Sequence, residues 1–182
     1  MKMLILLMTA FLAVPAWAQE DSMKDLPGYV DFGQLGEILG EPSVEIAVGP
    51  TLLGLVASLS ADEEPETAEL FRRLKGVRIQ VFETSGEAAG VNSSALDQVR
   101  TISSSLRASG WETVIKVSEP GEQMRMFMRS NGKVIEGITV MSVEDNEASF
   151  INVIGDIDPA QLDKVMDNFD LAIGDEDQAN DE

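Results

Sequence analysis

The chain has 182 residues, of which 32 are acidic and 13 basic, and it contains neither histidine nor cysteine. That length suits one domain with tails, and the negative charge repels nucleic acid and anionic membrane surfaces. The two missing residue types exclude disulfides, thiolate nucleophiles, the most common general base and nearly all zinc sites. Phosphate-binding and nucleophile-elbow motifs are also absent, so we expect a non-enzymatic protein without catalytic residues, cofactor or metal.

The first eighteen residues predict a signal peptide. Lys2 precedes an apolar run over residues 3–14, which is shorter than the roughly 20 residues that span a bilayer. Ala16-Trp17-Ala18 is typical of a cleavage site, so cleavage is expected between Ala18 and Gln19. The mature chain loses one lysine and no acid, carries a net charge of −20, and has no further membrane span. We therefore expect a periplasmic or secreted protein.

Residues 19–42 contain several turn signals and predict a loosely structured segment, with a short helix around residues 34–39, that packs onto the domain. Beyond residue 42, alternating apolar residues predict strands and helical periodicity predicts helices. In chain order these are a strand over 43–49, helices over 50–60 and 61–76, a strand over 77–82 and a helix over 93–110. Pro50 suits a first helical position, Pro65 a first turn, and Gly76 a left-handed helix cap.

Alternating apolar residues dominate from Trp111 onward and predict a four-strand meander over residues 111–157. A capped helix is expected from Asp158 to about residue 169, and the acidic tail 171–182 is expected to be disordered. The order of elements predicts an α+β fold. Residues 43–170 would form a single domain, with a mostly antiparallel sheet, a C-terminal β-meander, and helices packed on one face.

Two segments carry a family resemblance: LFRRLKGVRIQVF, residues 70–82, and MFMRSNGKVIEGITVMSVEDNEASFINVIGDIDPAQLDKV, residues 126–165. They resemble the family called domain of unknown function 4252, over roughly residues 43–167. The resemblance implies a small exported protein of Gram-negative bacteria with a single domain. It implies no activity, ligand or catalytic residue.

Methionine occupies every second position at Met124, Met126 and Met128, which on a strand places all three on one face. Thioethers suit Cu(I), but Met124 and Met128 would lie about 13 Å apart at their Cα atoms. Met residues facing an apolar partner strand are ordinary core residues, and we favour that interpretation. A tight turn at Asn131-Gly132 would pair Met128 with Ile135.

The opposite face of the predicted meander is also partly apolar, and helices on one face would leave it open. We therefore expect a surface that binds another envelope protein, or a second copy of the chain as a homo-oligomer. Its residues would be Phe127, Val134, Ile138, Val140 and Ile151. The alternative is a periplasmic small-ligand carrier, either for an apolar molecule or for Cu(I) through Met124, Met126 and Met128.

Overall fold

The computed structural model describes residues 22–33, 35–83 and 89–159. Several expectations lie outside these ranges: the signal peptide with its cleavage between Ala18 and Gln19, the body of the C-terminal helix, and the acidic tail 171–182. The elements in chain order are α1 (Leu35–Leu39), β1 (Val44–Val48), α2 (Pro50–Leu59), α3 (Pro65–Arg73), β2 (Leu74–Glu83), α4 (Ala89–Ala108), β3 (Glu112–Glu119), β4 (Glu122–Ser130), β5 (Ile135–Glu144) and β6 (Glu147–Ile157).

The strands form one six-stranded sheet in the order β1-β2-β6-β5-β4-β3, and every neighbouring pair is antiparallel. Strands β3 to β6 are consecutive neighbours joined by short connections, as a meander requires. The predicted α+β fold, with its mostly antiparallel sheet and C-terminal meander, is confirmed. β1 and β3 are the two edge strands of the sheet.

Helices cover both faces of this sheet, whereas the sequence suggested one. α4 packs on the face that presents Phe82, Phe127 and Phe150, which we call the α4 face. α2 and α3 pack on the face that presents Val77, Ile138, Ile151 and Val153, which we call the α2–α3 face. The physical reason is that the central strands are apolar on both sides, so each face needs a cover to exclude water.

The segment of residues 22–33 completes the cover of the α4 face. Its side chains Met23, Val30 and Phe32 are all buried. The side chain of Asn152 on β6 makes two hydrogen bonds to the backbone of this segment. Asn152 Oδ1 accepts from the Val30 N–H (2.9 Å), and Asn152 Nδ2 donates to the Gly28 carbonyl (3.0 Å). Because these backbone groups are buried, their pairing with Asn152 avoids a desolvation penalty.

Arg78 adds a second polar anchor beneath the same segment. Its Nη1 donates to the Val30 carbonyl (2.8 Å), and its guanidinium lies 4.7 Å from the centroid of the Tyr29 ring and 5.3 Å from that of Phe32. A guanidinium can stack on rings while it donates hydrogen bonds, which suits a buried site between aromatic residues.

Backbone approaches backbone closely where the segment crosses β5. A side chain at Gly28 would overlap the Glu136 carbonyl, and a Cβ at Gly137 would lie 2.6 Å from the Gly28 Cα and 2.7 Å from Trp111 Cη2. Only glycine fits at both positions. The register of β5 against β6 also shifts between Ile135 and Gly137, at the same place.

The β4–β5 connection differs from the expected two-residue turn. Strand β4 ends at Ser130 and β5 begins at Ile135, so the loop has four residues. The Asn131 Oδ1 accepts from the N–H groups of Lys133 (3.1 Å) and Val134 (3.2 Å), and Gly132 takes a φ of 86°. Met128 consequently pairs with Ile138 instead of Ile135. A shift of three positions moves one strand's side chains to the opposite face relative to its neighbour.

The start of α2 agrees with the sequence, whereas α3 starts four residues later than predicted and one helix end is also different. Pro50 and Pro65 each occupy a first helical position, where a missing N–H is harmless. Gly76, expected as a left-handed cap, lies inside β2, and its φ is not positive. A Cβ there would overlap the sulfur of Met23, so tertiary packing explains this glycine.

Candidate interaction surface

The α2–α3 face carries rows of cross-strand neighbours that run through all six strands. The middle row is entirely apolar: Ile46, Ile79, Ile151, Val140, Met126 and Ile115. Ile151 and Met126 are buried, but the two ends are open, because Ile46 is 41% exposed and Ile115 39% exposed. The row therefore ends in an exposed isoleucine at each edge of the sheet.

One open end combines β1 with the outer side of α2, and we call it the α2 surface. Its exposed members are Val44, Ile46, Leu52, Leu55 and Leu59. The three leucines recur at i, i+3 and i+7 and so form one stripe, while Leu53 and Ala57 point inward. α2 contacts β2, whereas α3 contacts both β2 and β6, so α2 lies nearer to β1. α2 is therefore the helix nearer to the β1 edge of the sheet.

The α2 surface has almost no charge. Residues 43–61 include Glu45 as their only charged residue, in a chain in which a quarter of the residues are charged. Glu45 points away from the α2–α3 face and accepts a hydrogen bond from Gln80 Nε2 (3.2 Å).

The other open end lies at β3 and β4, and we call it the methionine surface. Its members are Ile115, Val117, Met124 and Met128, with Val114 beside them at the register irregularity of β3. Val114 and Ile115 are exposed, and the other three are half-buried. Met124, Met126 and Met128 share this face, but Met126 is only 2% exposed and packs with the core cluster of α2 and α3. A copper site would have to bring together three sulfurs from alternate strand positions, whose Cα atoms are about 6.7 Å apart. The middle residue, Met126, is buried in the core, so this arrangement does not favour a copper site.

The five residues expected to form a partner surface do not lie together on one exposed face. Phe127 is fully buried beneath α4, on the opposite face from Ile138 and Ile151, which are buried under α2 and α3. Val140 is half-buried on that same face, and Val134 lies in the β4–β5 loop. The cause is the loop length: the predicted pairing placed Phe127 and Ile138 on one face, and the observed register separates them.

Basic side chains collect beside β3 and β4 on the α4 face. Lys116 and Arg125 are direct cross-strand partners, and Arg100 and Arg107 of α4 lie close by. Burial and these two arginines lower the pKa of Arg125, whose buried Nε has no hydrogen-bond partner in the described part of the chain. We call these four residues the basic flank, because they share the β3 edge with the methionine surface.

Acidic residues collect at the end of the sheet that carries the β3–β4 and β5–β6 turns. Two cavities of about 210 and 310 Å³ open there, and both are lined by Glu122, Glu144 and Asp145. Burial, Glu144 and Glu83 raise the pKa of Glu147 above its ordinary value of 4.5. Among the described residues, no group of three or more acidic side chains is placed to hold a metal ion.

A family model described as "Domain of unknown function (DUF4252)" matches residues 40–165. No curated protein and no solved structure matches the chain significantly. Within residues 22–33, 35–83 and 89–159, every helix is too short or too polar to span a membrane.

Proposed function

Because the chain belongs to the DUF4252 family, whose description assigns no activity, we propose its role from its surfaces: a non-enzymatic protein-binding module of the bacterial cell envelope. The observation that carries this proposal is the methionine surface, an apolar region left open at the β3 edge of the sheet. Exposed apolar surface of this kind is typical of contact sites for other proteins.

The composition of the methionine surface supports a protein partner. Ile115 and Val114 offer rigid apolar side chains, while Met124 and Met128 are flexible and can adapt to more than one shape. The basic flank along the same edge adds positive charge to a strongly acidic molecule. The flank lies on the α4 face, however, and Glu112 lies opposite Met128 on the methionine surface itself, so the apolar side chains carry the proposal.

The envelope location rests on the sequence of residues 1–18, which has the charged start, apolar run and small-residue end of a signal peptide. The lack of histidine and cysteine supports a role in binding and not in catalysis. Both parts of the proposal agree with a small accessory domain that acts by contact.

Photo-crosslinking in the bacterium tests the proposal. A crosslinking amino acid at Ile115 or Met128 of the full-length chain should give an adduct with a different envelope protein, identified by mass spectrometry. The same amino acid at Lys133, which is exposed in the β4–β5 loop, serves as the control. A Val114→Lys substitution should abolish the adduct at Ile115.

Two results would overturn the proposal. One is an absence of any adduct with a different protein at Ile115 and Met128. The other is an adduct that forms equally from Lys133, or that survives Val114→Lys, since neither would depend on the methionine surface. Recovery of the full-length chain only from the cytoplasm would refute the envelope location separately.

A further inference from the structure

We propose that the α2 surface is a homodimer interface, in which the β1 strands of two copies pair antiparallel and their α2 helices pack alongside. This interface lies at the opposite edge of the sheet from the methionine surface, so it is independent of the proposed function. It would join two six-stranded sheets into one continuous sheet of twelve strands.

The first argument is the contrast between the two edge strands. β3 carries Glu112, Lys116 and Glu119 and has a register irregularity between Thr113 and Ile115, which are the usual means of blocking edge pairing. β1, by comparison, is regular in its pairing with β2, and Glu45 is its only charged residue. One edge is protected against pairing and the other is not.

The second argument is electrostatic, and it identifies the partner as a second copy. Two molecules of this charge repel each other over most of their surfaces. Residues 43–61 carry a single charge, with Glu41 at one end and Asp62, Glu63 and Glu64 at the other, so two copies would approach with the least repulsion at the centre of the α2 surface. A cationic partner would gain its binding energy from the acidic parts of the molecule and not from this uncharged region.

The third argument is that β1 is complementary to itself. A two-fold axis at Ile46 would place Ile46 opposite its own copy, and Val44 opposite Val48 of the second copy. The same axis would place Glu45 opposite Ala47, so the single charge of the strand would not face its equivalent. The same axis would bring the two α2 helices, each the helix nearer to this edge, towards each other with their leucine stripes.

The exposed side chains give a first measure of the interface. Five half-exposed aliphatic residues offer on the order of 400 Å² per protomer, about half of the roughly 800 Å² that each partner buries in a stable complex. Pairing along β1 and contacts of flanking residues would supply the remainder.

Sedimentation velocity of the mature chain, residues 19–182, tests the proposal over a range of concentrations and salt. We expect a monomer–dimer equilibrium that tightens as salt rises to about 0.5 M, because salt screens the repulsion between acidic molecules. Ile46→Lys should weaken the dimer at least tenfold. Ile115→Lys, at the other end of the same row and equally exposed, should leave it unchanged.

The lysine substitutions are informative because they reduce the net negative charge. If general repulsion alone governed association, both would tighten the dimer. Leu59→Lys is a second variant that keeps the test valid if Ile46→Lys misfolds. Leu59 is 74% exposed, so its substitution should not disturb the folded monomer. It too should weaken the dimer, while circular dichroism and urea unfolding stay as in the wild type.

The proposal fails if the wild-type chain stays monomeric at every concentration and salt, or if Ile115→Lys disrupts the dimer as strongly as Ile46→Lys. It also fails if association weakens with salt, which would indicate a charge-driven contact. Crosslinking at Ile115 reports on the proposed function separately, because that residue lies outside the dimer interface.

Discussion

The two faces of the sheet are built differently. The α4 face is closed by α4 and by residues 22–33, and it contains buried polar anchors at Arg78 and Asn152 together with three clustered phenylalanines. The α2–α3 face is covered near its centre by two short helices and remains apolar and open at both edges. We infer that the α4 face contributes most of the stability of the fold, while the α2–α3 face provides the surfaces for contact with other molecules.

The rings on the α4 face show why that face should dominate stability. Phe150 lies at the centre, with its ring centroid 5.6 Å from that of Phe32 and 6.0 Å from that of Phe82. These contacts join the N-terminal segment, β2 and β6 in one cluster. The α2–α3 face has no comparable aromatic cluster among the residues the structure describes.

The largest expected effect is that of Phe150→Ala, which should lower the free energy of unfolding by about 3–5 kcal/mol, because it opens a cavity in a fully buried cluster. Phe71→Ala is the matched variant, since Phe71 is half-buried and packs beside the core of the α2–α3 face. Urea unfolding measures both. If Phe71→Ala were as destabilising as Phe150→Ala, the two faces would contribute alike.

Removal of the polar anchor should have the next largest effect. Asn152→Ala leaves the Val30 N–H and the Gly28 and Ile138 carbonyls without their buried partner, which should lower stability by about 2–4 kcal/mol. The Val30 amide should also lose protection from hydrogen exchange. Lys133→Ala, in the exposed β4–β5 loop, is the control and should change stability by roughly 0.5 kcal/mol at most.

Unchanged protection at Val30 in Asn152→Ala would mean that the N-terminal segment is held by its apolar side chains alone. In that case Asn152 would contribute to β6 but not to the cover of the α4 face. The greater stability expected of the α4 face would then come from apolar packing and not from the hydrogen bonds of Asn152.

Two glycines offer a test in which the effects should differ in sign. Gly137→Ala forces a Cβ against the Gly28 backbone and should destabilise the protein by about 1–3 kcal/mol. Gly54→Ala in α2 meets open space and should stabilise it by about 0.5–1 kcal/mol, because alanine favours a helix interior. Thermal unfolding measures both. A stabilising Gly137→Ala would show that the N-terminal segment moves easily from β5.

The elements that the sequence predicted well are those set by local interactions. The start of α2 follows from Pro50, and the six strands follow from alternation and β-branched residues. The start of α3 was predicted at residue 61 and lies at Pro65, because proline suits the first helical position. These signals depend on a few neighbouring residues, so no knowledge of the tertiary structure is needed. The order of elements was then enough to predict the fold class.

The surfaces could not be predicted, because they depend on register and on which face each helix covers. Asn131-Gly132 favours a two-residue turn, yet the Asn131 side chain instead organises a four-residue loop through Lys133 and Val134. That difference moved Phe127 into the core and separated it from Ile138. Gly76 was misassigned for a related reason, since its neighbour Met23 is distant in sequence.

The smallest expected effect concerns Glu147, which lies at the acidic end shared by both faces. Burial and the carboxylates of Glu144 and Glu83 disfavour its ionised form and so raise its pKa in the folded state above the ordinary 4.5 of the unfolded chain. The folded state then binds the proton more readily, so stability falls as the pH rises from 4.5 through the raised pKa. Glu147→Gln should therefore stabilise the protein slightly at neutral pH. Urea unfolding at several pH values should show that this gain shrinks towards pH 4.5. If the stability difference between Glu147→Gln and the wild type did not change with pH, its cause would be packing and not ionisation. If the substitution changed the dimer affinity, Glu147 would lie close to the α2 surface.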